Sequence, residues 1–162
     1  SGLFNFPEYQ FDAVRCGIAL HGFANRPEWD KKLKPVAELI SSISQIHIVK
    51  KGEYVGYDFG WKVSKETKIA TIPLGHADGI SRRLGNHKGT VSINGKIAPI
   101  VGNVCMDIIM IDITEINCKV GDKAILFGNK ISAASIAENC NTISYELLSN
   151  ISNRIPRNFI EN

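Results

Sequence analysis

Two short tracts carry the side chains best suited to chemistry. In Gly52-Glu53-Tyr54-Val55-Gly56-Tyr57-Asp58-Phe59, a Gly-X-Tyr turn follows a short apolar run and can present the Tyr57 phenol into a cleft. A phenol is a poor base near neutrality unless a cation or a hydrogen bond assists it. Further on, Gly75-His76-Ala77-Asp78-Gly79-Ile80-Ser81-Arg82-Arg83 gathers an imidazole, a carboxylate and two guanidiniums. The His-x-Asp spacing could ligate a metal, with Cys105 or Asp107 as further donors. Arg82 or Arg83 could instead offer a planar fork to an anion. An Asp–Arg pair that pins the loop is a third reading, and the residues leave all three open.

Three other positions bear on a site. Val101-Gly102-Asn103-Val104-Cys105-Met106-Asp107 sets a Gly before an apolar run and an acid beside a Met, which suits either a ligand-facing backbone or the start of a strand. Arg15 lies in an apolar run, and a buried guanidinium needs an acceptor; Asp12 is the nearest acid in sequence. Tyr145 sits in Thr142-Ile143-Ser144-Tyr145-Glu146, close to the charged stretch Arg154-Ile155-Pro156-Arg157. No spacing forms a Ser/His/Asp triad or a phosphate loop.

The elements that must position these groups are mostly strands. The run 11–20 reads as a buried strand, and Gly22 through Trp29, with Asn25, Arg26 and Pro27, reads as a loop. Alternation and β-branched density predict strands at 43–49, 67–74, 89–94, 96–101, 105–113 and 123–127. Asn94-Gly95 between two of them predicts a two-residue hairpin, because both central positions need positive φ. Ser132 caps the clearest helix, 132–140, and a second short helical turn falls at 145–150. The pattern is mainly β: a small Greek-key barrel of about six to eight strands with one or two short helices.

Composition narrows the function classes. The 162 residues hold 19 Lys+Arg against 16 Asp+Glu, a scattered net charge of +3 that implies neither nucleic acid nor membrane as partner. Aromatics at 8% without interleaved basic residues argue against a single-strand-binding surface. Cys16, Cys105, Cys118 and Cys140 show no CxxC spacing, and three lie in apolar stretches, so they read as reduced thiols of a cytoplasmic protein. No apolar run is long enough for a transmembrane helix, and no signal peptide opens the chain. The start at Ser1-Gly2 suggests an excised piece of a longer protein.

The order of the motifs is more specific than any one of them. Val14 to Leu20, Leu33-Lys34-Pro35-Val36, Val55-Gly56-Tyr57, Gly75 to Gly79, Pro99 to Asp107, Val120-Gly121-Asp122, Thr142 to Glu146 and Arg154 to Arg157 together resemble the alanine racemase family, in that family's order. The resemblance implies residues 1–32 as the last strand and loop of a pyridoxal phosphate (PLP)-binding (β/α)8 barrel, and 33–162 as the family's C-terminal β-domain. It implies an isomerase that interconverts L- and D-alanine for peptidoglycan, in the cytoplasm. Tyr57 matches one of its two bases, the other being a barrel Lys whose motif is absent here, so this piece by itself is expected to be inactive. Arg15 matches the Arg facing the PLP pyridine nitrogen, and Tyr145 a contact of the cofactor phosphate. Met106, Asp107, His76 and Arg82 match positions along the substrate channel and near the substrate carboxylate.

The same resemblance implies a head-to-tail homodimer in which Tyr57 works in the partner's barrel. His76 and His21 stand where the family usually has Tyr, so a ring that titrates near neutrality replaces one that does not. The wording around Leu84-Gly85-Asn86 and Asn103-Val104-Cys105 looks closest to racemases fused behind a cell-wall Mur ligase. The alternative is a non-catalytic β-barrel, serving as a ligand-binding or dimerisation module.

Overall fold

The computed structural model describes residues 3–24, 27–128 and 130–160. Its strands are β1 (Leu39–Ser42), β2 (Gln45–Val49), β3 (Tyr54–Val55), β4 (Trp61–Lys62), β5 (Thr67–Ile72), β6 (Thr90–Ile93), β7 (Lys96–Val101), β8 (Ile109–Asp112) and β9 (Lys123–Phe127). The helices are α1 (Pro27–Asp30), α2 (Ala133–Asn139) and α3 (Ser144–Ser149). Seven strands form one antiparallel sheet in the order β1-β9-β6-β7-β8-β5-β2, and β3 pairs with β4 as a separate ribbon.

The two edges of that sheet, β1 and β2, are separated in the chain by Ile43 and Ser44 alone. Ile43 continues the β9 ladder, donating to Asp122 O at 2.9 Å and accepting from Gly121 N at 2.8 Å. Ser44 N then opens the β5 ladder by donating to Thr71 O at 2.9 Å. β1 and β2 are therefore halves of one bent strand, and the sheet closes on itself as a barrel of six staves. β7 turns the opposite corner: its first half pairs with β6 and its second with β8. Within the ring, β6, β7 and β8 are consecutive neighbours and β9 returns beside β6, which is the Greek-key order. The Asn94-Gly95 turn joins β6 and β7 with φ of 48° and 81°, as the hairpin signal predicts.

Inward positions fill the barrel with branched aliphatics. Ile43, Ile72, Val91, Ile93, Ile100, Ile109, Ile111 and Ile113 are essentially inaccessible, and such side chains pack at crystal-like density. Ala133, Ile136, Cys140 and Leu147 bring α2 and α3 onto the same core. Ser132 caps α2, its hydroxyl accepting from Ser135 N at 3.0 Å. On the outer face, Ile69, Val101 and Met110 are covered by Val55 and Val63 of the β3–β4 ribbon, a second small core. This ribbon carries Tyr57 at its tip.

Three expectations are corrected. The run 11–20 is not a buried strand: residues 11–15 are exposed, and Ile18–His21 forms a 3-10 turn. Its apolar composition is strand-like, but among the described residues no strand pairs with it. The 105–113 strand begins only at Ile109, because Cys105 and Met106 turn their carbonyls to a neighbouring loop. The loop expected to end at Trp29 gives way to the single turn α1 at Pro27, a residue that suits a first helical position. Asn25 and Arg26 of that loop lie outside the described residues.

Candidate active site

Tyr57 begins a tight 3-10 turn, Tyr57–Phe59, between β3 and β4, and its side chain is 71% exposed. Asp58 (φ 55°) and Phe59 (φ 52°) both take left-handed backbone angles, costing roughly 1–2 kcal/mol each for side chains with a Cβ. The turn is held from outside. Tyr57 O accepts from Gly60 N at 3.1 Å and from Asn103 Nδ2 at 2.9 Å. The Phe59 ring packs edge-on against Tyr54 at 5.0 Å. Gly102 (φ 65°) lets the backbones touch, since a Cβ there would lie 2.5 Å from Val55 O. Beside the turn, burial pushes the Cys105 thiol up, against a smaller opposing pull from the Tyr57 backbone, so it stays a thiol at neutral pH.

The Gly75–Gly79 loop meets the backbone of the stretch that follows Asn103. His76 N donates to Cys105 O at 2.8 Å and Ala77 N to Met106 O at 2.9 Å, which stitches this loop to the one bearing Met106 and Asp107. The approach requires Gly75, where a Cβ would meet Met106 O at 2.4 Å. Asp78 is 3% exposed and accepts from Gly75 N at 2.8 Å. Its other oxygen takes Arg154 Nε at 2.6 Å, and Arg154 also donates to Asp107 Oδ1 at 2.7 Å. Burial by itself would raise the Asp78 carboxyl; the Arg154 hydrogen bond, the Gly75 N–H and the Arg154 charge outweigh it and hold the acid below its ordinary value. The two carboxylates in turn keep Arg154 firmly protonated.

Of the three readings of this loop, the pinned Asp–Arg pair is the one realised, though with Arg154 rather than Arg82 or Arg83. Arg83 donates to Cys140 O at 2.7 Å, and Arg82 is exposed. Among the described residues no group of three His, Cys, Asp or Glu could hold a metal ion. His76 and Met106 are both exposed beside the turn, Met106 at 59%.

Arg15 and Tyr145 meet elsewhere. Both line a cavity of about 380 Å³ between the 15–19 segment and α3, shared with Phe4, Phe23 and Trp29. Arg15 is exposed and forms no ion pair with Asp12. The Trp29 indole N–H is buried and has no partner among the described residues. Tyr57 is not among the lining residues of this cavity.

The profile of the family described as "Alanine racemase, C-terminal domain" matches residues 36–159. The chain belongs to that family. An alanine racemase of Clostridium novyi is 43% identical over the whole chain and 44% of its own length. The alanine racemase of Streptomyces lavendulae, a D-cycloserine producer, superposes with a TM-score of 0.92 at 31% identity, over 99% of this chain and 44% of that one. The Bartonella henselae alanine racemase, solved with covalently bound pyridoxal phosphate, gives 0.89 at 35% identity, over 98% and 45%. The chain thus spans a little under half the length of these alanine racemases.

For an alanine racemase C-terminal domain, the structure groups most of the residues singled out from sequence into two sets. Tyr57, His76, Met106 and Asp107 share a loop cluster, Arg15 and Tyr145 share a cavity, and Arg82 is exposed on the 3-10 turn Arg82–Leu84 that follows the Gly75–Gly79 loop. Sequence reasoning missed Arg154 as the link between Asp78 and Asp107, Asn103 as the partner of the Tyr57 carbonyl, and Trp29 in the cavity wall. Arg154 left one trace, its place in the charged stretch Arg154-Ile155-Pro156-Arg157. Its acceptors lie too far off in sequence to be named from that.

Proposed function

We propose that this chain is the C-terminal part of a PLP-dependent alanine racemase that interconverts L- and D-alanine for peptidoglycan synthesis, and that it contributes Tyr57 as a base to a partner subunit's barrel. The observation that carries the reading is the separation of its functional sets. Tyr57 is presented on an exposed, rigid turn, yet it does not line the cavity that gathers Arg15 and Tyr145. A base that serves its own cofactor site would face that cavity; one lent across a head-to-tail homodimer would face outward.

The residues present fit the cofactor. The cavity is of the size small ligands occupy, and its lining includes the polar side chains of Arg15 and Tyr145. Arg15 would donate to the pyridine nitrogen without yielding its proton, and Tyr145 would contact the phosphate. When bound, PLP supplies the electron sink that lets the alanine Cα lose a proton. Met106 and Asp107, with His76 and Arg82, would line the substrate's path to the site. Residues 1–32 would belong to the barrel and 33–162 to the β-domain. The four cysteines are free, which supports a reducing, cytoplasmic setting. Among the described residues no helix is long and apolar enough to cross a membrane. A fused Mur ligase finds no support in the names of the relatives.

Mixed dimers test the proposal. In a complete enzyme carrying this chain, Tyr57→Phe and a variant of the barrel lysine should each be inactive. Mixing them in equal amounts should restore about a quarter of wild-type activity, because half the dimers are mixed and each has one intact site. No restoration would place Tyr57 in its own subunit's site. Full activity of Tyr57→Phe would remove it from catalysis altogether. The chain supplied with PLP on its own should show no absorbance of lysine-bound cofactor.

A further inference from the structure

We propose that Asn103 and Asn86 are positioning residues for Tyr57, acting as a two-amide relay that holds the turn from which the phenol is presented. The inference rests on the role proposed for Tyr57 and deepens it. The two residues lie in the two stretches whose wording stood out in the sequence, Leu84-Gly85-Asn86 and Asn103-Val104-Cys105, and the fold hydrogen-bonds them to each other.

Asn86 Nδ2 donates to Asn103 Oδ1 at 2.9 Å, which fixes the Asn103 amide so that its nitrogen, not its oxygen, faces the turn. That nitrogen donates to Tyr57 O at 2.9 Å. The contact falls on a stressed element: the next two residues, Asp58 and Phe59, both have positive φ without being glycine. Backbone in such angles persists only when its surroundings over-determine it. The Gly60 N bond to the same carbonyl is local to the turn and cannot set the turn's place on the barrel. Asn103 is anchored to the barrel wall beside β7, so it ties the turn to the rigid body. The fit leaves no slack: a Cβ at Gly56 would sit 3.0 Å from Asn103 N, and one at Gly60 would lie 3.0 Å from both Asn103 N and Asn103 Nδ2. The relay starts from a constrained base, since Asn86 (φ 55°) and His87 (φ 68°) are also left-handed and Asn86 N donates to Gly102 O at 2.9 Å.

The test has two parts. On the 162-residue chain, amide exchange followed by mass spectrometry should speed up across residues 56–60 in Asn103→Asp and Asn103→Leu, and less in Asn86→Ala, with the β5, β7 and β8 amides unchanged. In the complete racemase, both Asn103 variants should lower kcat by up to about 100-fold, the scale of a displacement near 1 Å, with KM within about twofold. The Cα-deuterium isotope effect should rise for the alanine enantiomer whose proton Tyr57 takes and fall for the other. Loss of folded enzyme alone would lower activity without changing either isotope effect.

Unchanged exchange at 56–60, or an unchanged pair of isotope effects in Asn103→Asp, would overturn the positioning role. If Tyr57→Phe keeps its activity while the exchange result holds, the catalytic reading of Tyr57 is what fails, and the relay loses its purpose with it.

Discussion

At the scale of single residues, Asp78 carries the most structural weight in the site. It is buried; one oxygen closes its own loop through Gly75 N and the other takes Arg154, which reaches on to Asp107. Because its folded-state pKa lies below its ordinary value, the stability it contributes is fully present above about pH 4 and is lost as pH falls through the lower folded value. Asp78→Asn should therefore destabilise the domain by on the order of 1–2 kcal/mol near neutrality, the loss of a charged hydrogen bond to a half-exposed partner. Urea unfolding of both proteins from pH 7 downward should show the gap closing in acid. A gap of constant size would mean that the carboxylate's charge is not what holds the loops. Membership of the family was legible in the order of the motifs, Val55-Gly56-Tyr57 and Pro99 to Asp107 among them. The Asp78–Arg154 pair was not, because its members are 76 residues apart and neither spacing nor periodicity relates them.

At the scale of elements, β1 went unread, whereas β2, β5, β6, β7 and β9 were read to within two residues at each end, from β-branched apolar runs bounded by turn residues. The ribbon β3–β4 was not, since strands of two residues leave no period to read. The run 11–20 failed for the opposite reason: its β-prone composition has no partner strand among the described residues. The start of β8 was missed because Cys105 and Met106 give their carbonyls to His76 and Ala77, a preference dictated by another loop. That contact supports a prediction. Gly75→Ala places a Cβ 2.4 Å from Met106 O and should cost about 2–3 kcal/mol, as overpacking does. Gly52→Ala, with open space around it but φ of 92°, should cost only about 1 kcal/mol. Chemical denaturation of the two variants compares them directly, and equal losses would deny that close loop approach is what requires Gly75.

At the scale of the whole molecule, the barrel and the leading segment differ in how they are secured. Of residues 3–24, only Ile18, Gly22 and Phe23 are buried, and none joins the sheet. Limited proteolysis should cut on the N-terminal side of about residue 36 before it cuts between β1 and β9, since backbone that is exposed and outside the ladders opens most readily. First cleavage inside the barrel would reverse this order and the proposed division at residue 32. Composition and alternation made the mainly β barrel legible, but the order of its strands was not, because which strands are neighbours depends on pairings spread over the chain.

The bent strand that closes the ring also sets an order of events during synthesis. β2 can find β5 soon after both have emerged, with Gln45 opposite Thr71. Its own continuation, β1, must wait for β9, with Leu39 opposite Phe127. Such distant pairing is slow, and until it forms β1 presents an unpaired row of backbone donors and acceptors. Nascent chains stalled before β9 should thus be a point at which this protein sticks to others. The segment made first among the staves is the last to be covered.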